Sequence, residues 1–386
     1  MDHPDIKPMT DDPLKLIKFM ASDILQPLPV KIILLVTLLA LPVGSNVLMI
    51  YFVLYVIDIR EFIDYAPVLF GGFYPSLAIL IAVFKGKLIH NLQDEIKLWA
   101  IDSAGEKIHS KIKLKVRMVT IFAICNTLLL IVATVHNLIP LPRDLHIYFV
   151  LRLIYDYFPN HKTYLLILMK LMSPVTTYML LVHAYQILYY TQHINIQIQL
   201  YNKFVADVDF WETPLCEPEL FYNELYQKRV EKRLKFCIQR SQHFVYVHVA
   251  KIKEIGILIA LFAVCGVLMG IGISFYLFSG NLTPEYYIRI FIIALVGATT
   301  FSSIIWGGQS TETIVTEMIA TISQVRWYNF SQTNKKLYLI LLTNMMKERK
   351  IKFTENYSIN YQLGLAIVRG IYSVMSVLVK MYSINT

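Results

Sequence analysis

Long apolar stretches alternate with polar, charged segments along this 386-residue chain. Seven of the stretches are long enough to span a membrane, since roughly 20 residues cross a ~30 Å hydrocarbon core. They lie near 32–57, 65–84, 118–138, 163–190, 255–278, 286–306 and 359–381. The pattern predicts an all-α polytopic membrane protein with seven transmembrane helices, because a single segment in lipid can satisfy its own backbone only as a helix. Ahead of the first span, Leu14, Leu16, Ile17, Phe19, Met20 and Ile24 recur at helical spacing and predict a short helix on the inner membrane surface. Pro27 and Pro29 end it. The first span begins too far into the chain, and is too long, for a cleaved signal peptide, so it is expected to stay in the mature protein. Within it, Pro42 and Gly44 predict a kink.

Helical periodicity continues outside the spans. Leu88, Ile89, Leu92, Ile96 and Leu98 form a rough stripe that extends the second span into the cytoplasm. The fourth span runs on through HINIQIQLYNKF, well past a membrane thickness, before Pro214 and Pro218 turn the chain. A second helix starts near Leu220 and feeds the fifth span. The charged and Gln-rich faces of this pair predict a water-exposed cytosolic stalk. After the sixth span, Ile314, Met318, Ile322 and Val325 mark one face of an amphipathic helix, continued by KKLYLILLTNMMKERK. The organisation expected is therefore 1–306 for the N-terminal segment and six spans, 307–358 for cytosolic anchor helices, and 359–386 for the last span.

Composition agrees with this pattern: 56% hydrophobic residues and 16% charged, with mean hydropathy +0.52, where soluble domains carry about 25% charge. Charge sets the orientation. The N-terminal segment and the even-numbered loops carry 4, 8, 9 and 7 Lys and Arg residues, and the odd-numbered loops and tail 1, 3, 0 and 0, or 28 against 4. The positive-inside rule places the N-terminus in the cytoplasm and the C-terminus outside. Of the four cysteines, Cys125 and Cys265 lie in spans and Cys216 and Cys237 in a cytoplasmic loop, so no structural disulfide is expected. Asn281 heads a glycosylation sequon in a short outer loop close to the membrane, followed by Pro284, which makes it a poor acceptor; the sequons at Asn329 and Asn356 face the cytoplasm.

Chemistry-bearing motifs are missing. There is no P-loop, zinc spacing or nucleophile elbow, so neither an enzyme nor a cofactor is expected. No acidic residue falls well inside a span, which argues against proton- or cation-coupled transport. Four cations do lie in or at the edge of spans. Arg289, Lys380 and Lys170 are explained by snorkelling outward, with an outer pocket as the alternative for Lys170. Arg369, near the middle of the last span, requires either a water-filled pore or an interhelical hydrogen bond. The outer loop 139–162 is unusually aromatic (Tyr148, Phe149, Tyr155, Tyr157, Phe158) and reads as an interfacial anchor or as a lid over the bundle.

The outer halves of the spans combine aromatic, Met and small polar residues, as a pocket for a small, volatile, mostly apolar ligand requires. The candidates are Phe70, Phe73 and Tyr74 on the second span, Ile131, Val135 and His136 on the third, and Met169, Met172, Ser173 and Thr176 on the fourth. Met269 and Ser274 on the fifth and Tyr287 and Phe291 on the sixth complete the set.

Seven spans, an internal N-terminus, long basic inner loops and an abrupt outer C-terminus resemble the insect odorant receptor family. The tail sharpens the match: Trp327 after ATISQV, the KKLYLILLTNMMKERK helix, and a last helix ending LVKMYSINT with the pair Tyr382 and Ser383. Cys237, Ile238 and His243 also match a family pattern before the fifth span. The resemblance implies an odorant-gated, non-selective cation channel in the plasma membrane of sensory-neuron dendrites. It implies a tetramer, usually shared with a co-receptor subunit, in contact with membrane lipid and with no nucleic-acid partner. The last helix would line the pore, pointing to Arg369, Lys380, Ile384 and Asn385, with the gate near Ile384. The chain ends Ile-Asn-Thr, without the Leu-Leu of many members, which leaves a co-receptor to supply the hydrophobic ring. Related gustatory receptors carry a TY…QF motif absent here, and a G-protein-coupled receptor would have the opposite orientation. A gustatory-type channel and, behind it, a G-protein-coupled receptor are the alternative readings. A structural or transport bundle is a further rival.

Overall fold

Among the described residues, each of the seven apolar runs lies mostly on helix. The computed structural model describes residues 7–9, 11–55, 59–84, 98–142, 144–211, 217–278, 283–346 and 358–385. In chain order the helices are α1 (Lys15–Ala21), α2 (Leu28–Leu38), α3 (Gly44–Tyr55), α4 (Ile59–Phe84), α5 (Glu106–Leu138), α6 (Asp144–Ile147), α7 (Phe149–Tyr157), α8 (Lys162–Ala206), α9 (Glu217–Tyr222), α10 (Glu224–Phe278), α11 (Pro284–Ser323), α12 (Gln332–Met346) and α13 (Tyr361–Asn385). Among the described residues α5, α8 and α11 are long and apolar enough to cross a membrane, while 68–84 and 260–274 are shorter apolar stretches within α4 and α10. At 1.5 Å per residue the 45 residues of α8 extend about 68 Å, twice the hydrocarbon core. That helix is therefore too long to be confined to the lipid.

The first span shows how local chemistry sets geometry. Pro27 and Pro29 separate α1 and its following 3₁₀ turn (Asp23–Leu25) from α2 at an angle of 69°. Pro42 has no N–H and its ring crowds the carbonyl four residues back, so the helix widens to a π turn at Leu39–Val43 before continuing as α3. Gly44 makes that turn possible, since a Cβ there would lie 2.7 Å from the Leu39 carbonyl oxygen. The short α1 does not simply float on the membrane. Leu14, Ile17 and Ala21 are buried against α8 and α5, and the Tyr178 hydroxyl donates to the Met20 carbonyl at 2.5 Å.

The largest core joins α1, α5, α8, α10 and α11 to α12, and it reaches along α5 as far as Leu130 and Ala133. Ile314, Met318, Ile322 and Val325 are all buried there, as their spacing predicts. The polar face of α8 does not behave as expected. Gln192, His193, Asn195 and Gln197 do not face water: they are buried, because neighbouring helices supply partners. Asn195 donates to Ser310 at 2.8 Å. Gln197 clamps both backbone groups of Trp99, at 2.9 and 3.1 Å, while the Arg240 guanidinium lies 4.2 Å over the Trp99 ring. His193 and Tyr189 both bond to Asp12, at 3.0 and 2.7 Å, and tie the N-terminal segment to α8. Burial opposes ionisation of Asp12, but the His193 hydrogen bond and charge, the Tyr189 hydroxyl and the Leu14 N–H together hold its pKa below the ordinary 3.8.

The sixth span and the anchor helix are one uninterrupted helix, so the division drawn at residue 307 falls inside α11. Gly307 and Gly308 sit at that point. A Cβ on Gly308 would lie 2.1 Å from the Ile359 carbonyl oxygen, so glycine lets the backbone entering α13 press directly against α11. Of the amphipathic stripe expected to continue the second span as a helix, Leu88, Ile89, Leu92 and Ile96 lie outside the described residues, as do Cys216, Asn281 and Asn356. Leu98 is buried in a non-helical segment, and its carbonyl accepts the Met9 N–H at 2.9 Å.

Candidate functional site: an outer cavity, a clasp and the last helix

A cavity of about 180 Å³ opens where the outer ends of α3, α4, α5 and α8 meet beneath α6 and α7. Its walls are Ser45, Asn46 and Met49 of α3, Val68, Leu69, Gly72 and Pro75 of α4, Asn137 of α5, and Met169, Ser173, Thr176 and Thr177 of α8. Tyr148, Phe149 and Val150 form the roof. The roof folds down because α7 is amphipathic: Phe149, Leu153 and Ile154 are buried, while Tyr155 and Tyr157 remain exposed. Phe149 meets Tyr65 and Phe52 edge-on at 5.4 and 5.3 Å. The Tyr148 hydroxyl donates to Asn137 Oδ1 at 2.9 Å, and Asn137 Nδ2 donates to Ser173 Oγ at 3.2 Å. Of the two readings of the aromatic loop, Tyr148 and Phe149 fit the lid, whereas Tyr155, Tyr157 and Phe158 fit the interfacial anchor.

A buried ion pair ties this lid to the sixth span. Arg289, expected to snorkel outward, is instead only 2% exposed, and its Nη1 lies 2.8 Å from Asp144 Oδ1. It also donates to the Ile139 carbonyl, and the Tyr286 hydroxyl donates to the same Asp144 oxygen. The other oxygen, Asp144 Oδ2, accepts the Leu141 N–H at 2.7 Å and so shapes the turn into α6. Snorkelling gives way to burial because the folded-down loop brings a carboxylate and a carbonyl to the guanidinium, meeting a need that water would otherwise fill.

A second, larger cavity of about 300 Å³ lies deeper, between α10, α11 and α13. Its lining is aliphatic and small: Val267, Gly270, Ile273, Gly297, Ile305 and Ile367 are typical, with Tyr74 and Phe262 on one wall. The last helix meets its neighbours closely here. A Cβ on Gly270 would be 3.1 Å from Ile371 Cδ1, and one on Gly364 would be 3.3 Å from Ile305.

The residues singled out from the sequence divide among these places. Met169, Ser173 and Thr176 line the outer cavity, while Tyr74, Met269 and Ser274 line the inner one. Phe73 packs against the cluster of Met49, Tyr65, Leu69, Phe149 and Leu153 beside the outer cavity. Phe70, His136, Met172 and Tyr287 are half-buried and line neither cavity. Ile131, Val135 and Phe291 are exposed on the outside of the bundle. Arg369 is exposed and, among the described residues, makes no hydrogen bond or ion pair; Lys380 is also exposed. The side chains of Ile384, Asn385, Tyr382, Ser383 and His243 lie outside the described residues. Sequence reasoning passed over Asn46, Asn137 and Gly72. The pair Ser45-Asn46 within an otherwise apolar span was the available signal.

No protein-family model matches this chain, and no curated protein matches it by sequence. Solved structures do. The insect olfactory receptor OR5 from Machilis hrabei superposes with a TM-score of 0.62 at 6% identity, over 88% of this chain and 87% of that one. The same receptor in complex with eugenol gives 0.61 at 8% identity, over 96% of this chain and 100% of that one. Two chains with so little sequence in common share the arrangement of helices end to end, and this protein is built on the insect olfactory receptor fold.

Proposed function

We propose that this chain is the ligand-binding subunit of an odorant-gated, non-selective cation channel, with a small volatile ligand in the outer cavity and α13 lining a central pore. The observation that carries this reading is how little of α13 is covered. Leu363 and Met375 pack inward, while Leu365, Val368, Tyr372, Val377 and the Arg369 guanidinium are exposed. A mid-span cation needs water or a partner chain against it, and a pore shared among subunits meets that need. The complex of the matching receptor with eugenol supports a small organic ligand. Exposed Trp327, Tyr328, Leu339 and Ile340 on the cytosolic side support an anchor between subunits, with a co-receptor as the expected partner.

The contacts suggest how binding reaches the pore. A ligand bears on Tyr148 and Phe149 in the roof, and the roof is held to α11 through Asp144 and Arg289. Helix α11 in turn packs through Ile305 against Leu363 and Gly364 of α13, and through Gly308 against Ile359 just ahead of it. If the ligand prefers one position of the lid, that preference shifts the closed–open equilibrium. Moving the outer end of α13 widens the ring at Lys380, Ile384 and Asn385, which conducts when wetted. Arg369 lies along the same path.

Whole-cell recording with a volatile panel tests the reading, in cells expressing this chain with and without the family's co-receptor. Fast cation current that persists when G-protein signalling is blocked is the expected result. A response that disappears with that block overturns the channel assignment.

A further inference from the structure

Within the outer cavity the protein satisfies one polar wall and leaves another open. On the α5 and α8 side Tyr148 donates to Asn137 and Asn137 to Ser173, a chain of hydrogen bonds that ends at the Ser173 hydroxyl. Opposite, on α3, the Asn46 amide lines the cavity and has no hydrogen bond among the described residues. An amide carries two N–H donors and a carbonyl acceptor, and a polar group left without partners at membrane depth is costly. Its neighbours in the span, Val47, Leu48 and Met49, are apolar. Asn46 lies against Gly72, where a methyl group would come to 3.0 Å from Oδ1, so the glycine makes room for the amide at this position.

We infer that the outer cavity selects small ligands bearing an oxygen function (alcohol, carbonyl or phenol) and that Asn46 is the residue that recognises it. The inference rests on the reading of this cavity as the ligand site and adds the ligand's chemistry. Size limits the class further. An engineered cavity of about 150 Å³ holds benzene, so 180 Å³ suits a ligand of about six to nine heavy atoms. An alcohol accepts from Asn46 Nδ2 and donates to Oδ1, and a ketone accepts only. The Ser173 hydroxyl, which accepts from Asn137 and has no acceptor of its own among the described residues, offers a second donor to the same ligand. The inner cavity offers the hydroxyl of Tyr74, which is buried without a partner among the described residues, while Thr300 there bonds back to the Val296 carbonyl at 2.7 Å; the Asn46 variants below separate the two sites.

The test compares size-matched probes, hexanol and cyclohexanone against heptane and methylcyclohexane, at equal membrane-phase concentration. Thermal unfolding of the full chain in lipid nanodiscs reads binding, and whole-cell current reads gating. The wild type is expected to respond to the oxygenated probes at concentrations about tenfold lower than to the hydrocarbons, the worth of about one hydrogen bond. Asn46→Leu, similar in volume, should erase that difference, and Gly72→Ala, which displaces the amide without removing it, should reduce it. An unchanged preference in both variants, an absence of preference in the wild type, or no stabilisation by any probe overturns the inference. Current that is evoked without dependence on Asn46 overturns the inference alone. Asn46-dependent stabilisation without current supports the inference about the cavity and overturns the channel reading instead.

Discussion

The two cavities differ in what their walls offer. The outer one is small, roofed by a loop, and presents Asn46, Asn137 and Ser173 to its interior. The inner one is nearly twice as large, is walled mostly by aliphatic side chains and glycines with the Tyr74 hydroxyl at one side, and borders the last helix. Fixed polar groups give directional preference for one ligand over another. Loosely filled aliphatic walls instead allow the helices around them to shift, since a void removes the dispersion contacts that would hold them. On the function proposed above, recognition falls to the outer cavity and movement to the inner one, with the Arg289–Asp144 clasp between them.

The comparison breaks most severely at Gly308. Gly308→Ala puts a methyl group against the Ile359 carbonyl, and a backbone oxygen cannot step aside, so a loss of about 3 kcal/mol is expected. Surface expression and thermal unfolding in nanodiscs should both fall; normal values would mean that α13 is not seated as described. Arg289→Met is next. It strands a mostly buried carboxylate and should cost about 3 kcal/mol or more, with Asp144→Leu recovering part of the loss in the double variant. Equal destabilisation by the single and double variants, measured by the same unfolding assay, would show that the clasp is not a unit.

Smaller effects separate the cavities. Gly270→Ala meets only the flexible end of Ile371, so a stability change under about 1 kcal/mol is expected. Its effect should appear in the open probability at a fixed ligand concentration, with ligand preference intact. A changed preference would place recognition at the inner cavity. The pKa of Asp12 is lowered in the folded chain, so the stabilisation it provides is present above 3.8 and is lost as pH falls from there through the lowered value. Hydrogen exchange at residues 14–25 should rise in that window and Asp12→Asn should remove the dependence; a flat profile in the wild type would discount the Asp12–His193 tie.

The fold was legible where periodicity and breakers act locally. Pro27 separates the N-terminal helix from the first span, Pro42 and Gly44 mark the π turn within it, and the stripe at Ile314, Met318 and Ile322 is buried as its spacing demands. The site was legible only in part, for a physical reason. Lipid is as apolar as a protein core, so hydrophobicity cannot tell an inward Met169 from an outward Ile131 on the same kind of helix. Polar pairing over long sequence separations was equally hidden. Arg289 and Asp144 are 145 positions apart, and nothing near either residue announces the other. The buried glutamine of α8 misled for the same reason: Gln197 reads as a water-facing group until Trp99, 98 residues away, takes both ends of its amide.

Single-channel recording with the outer cavity filled tests the central claim most directly. Ser173→Phe places a ring in the space enclosed by Asn46, Tyr148 and Met169. The account predicts that odorant-evoked openings disappear, or require at least about a hundredfold more ligand, while spontaneous openings keep their unitary conductance. An unchanged dose–response curve at normal surface expression would contradict it.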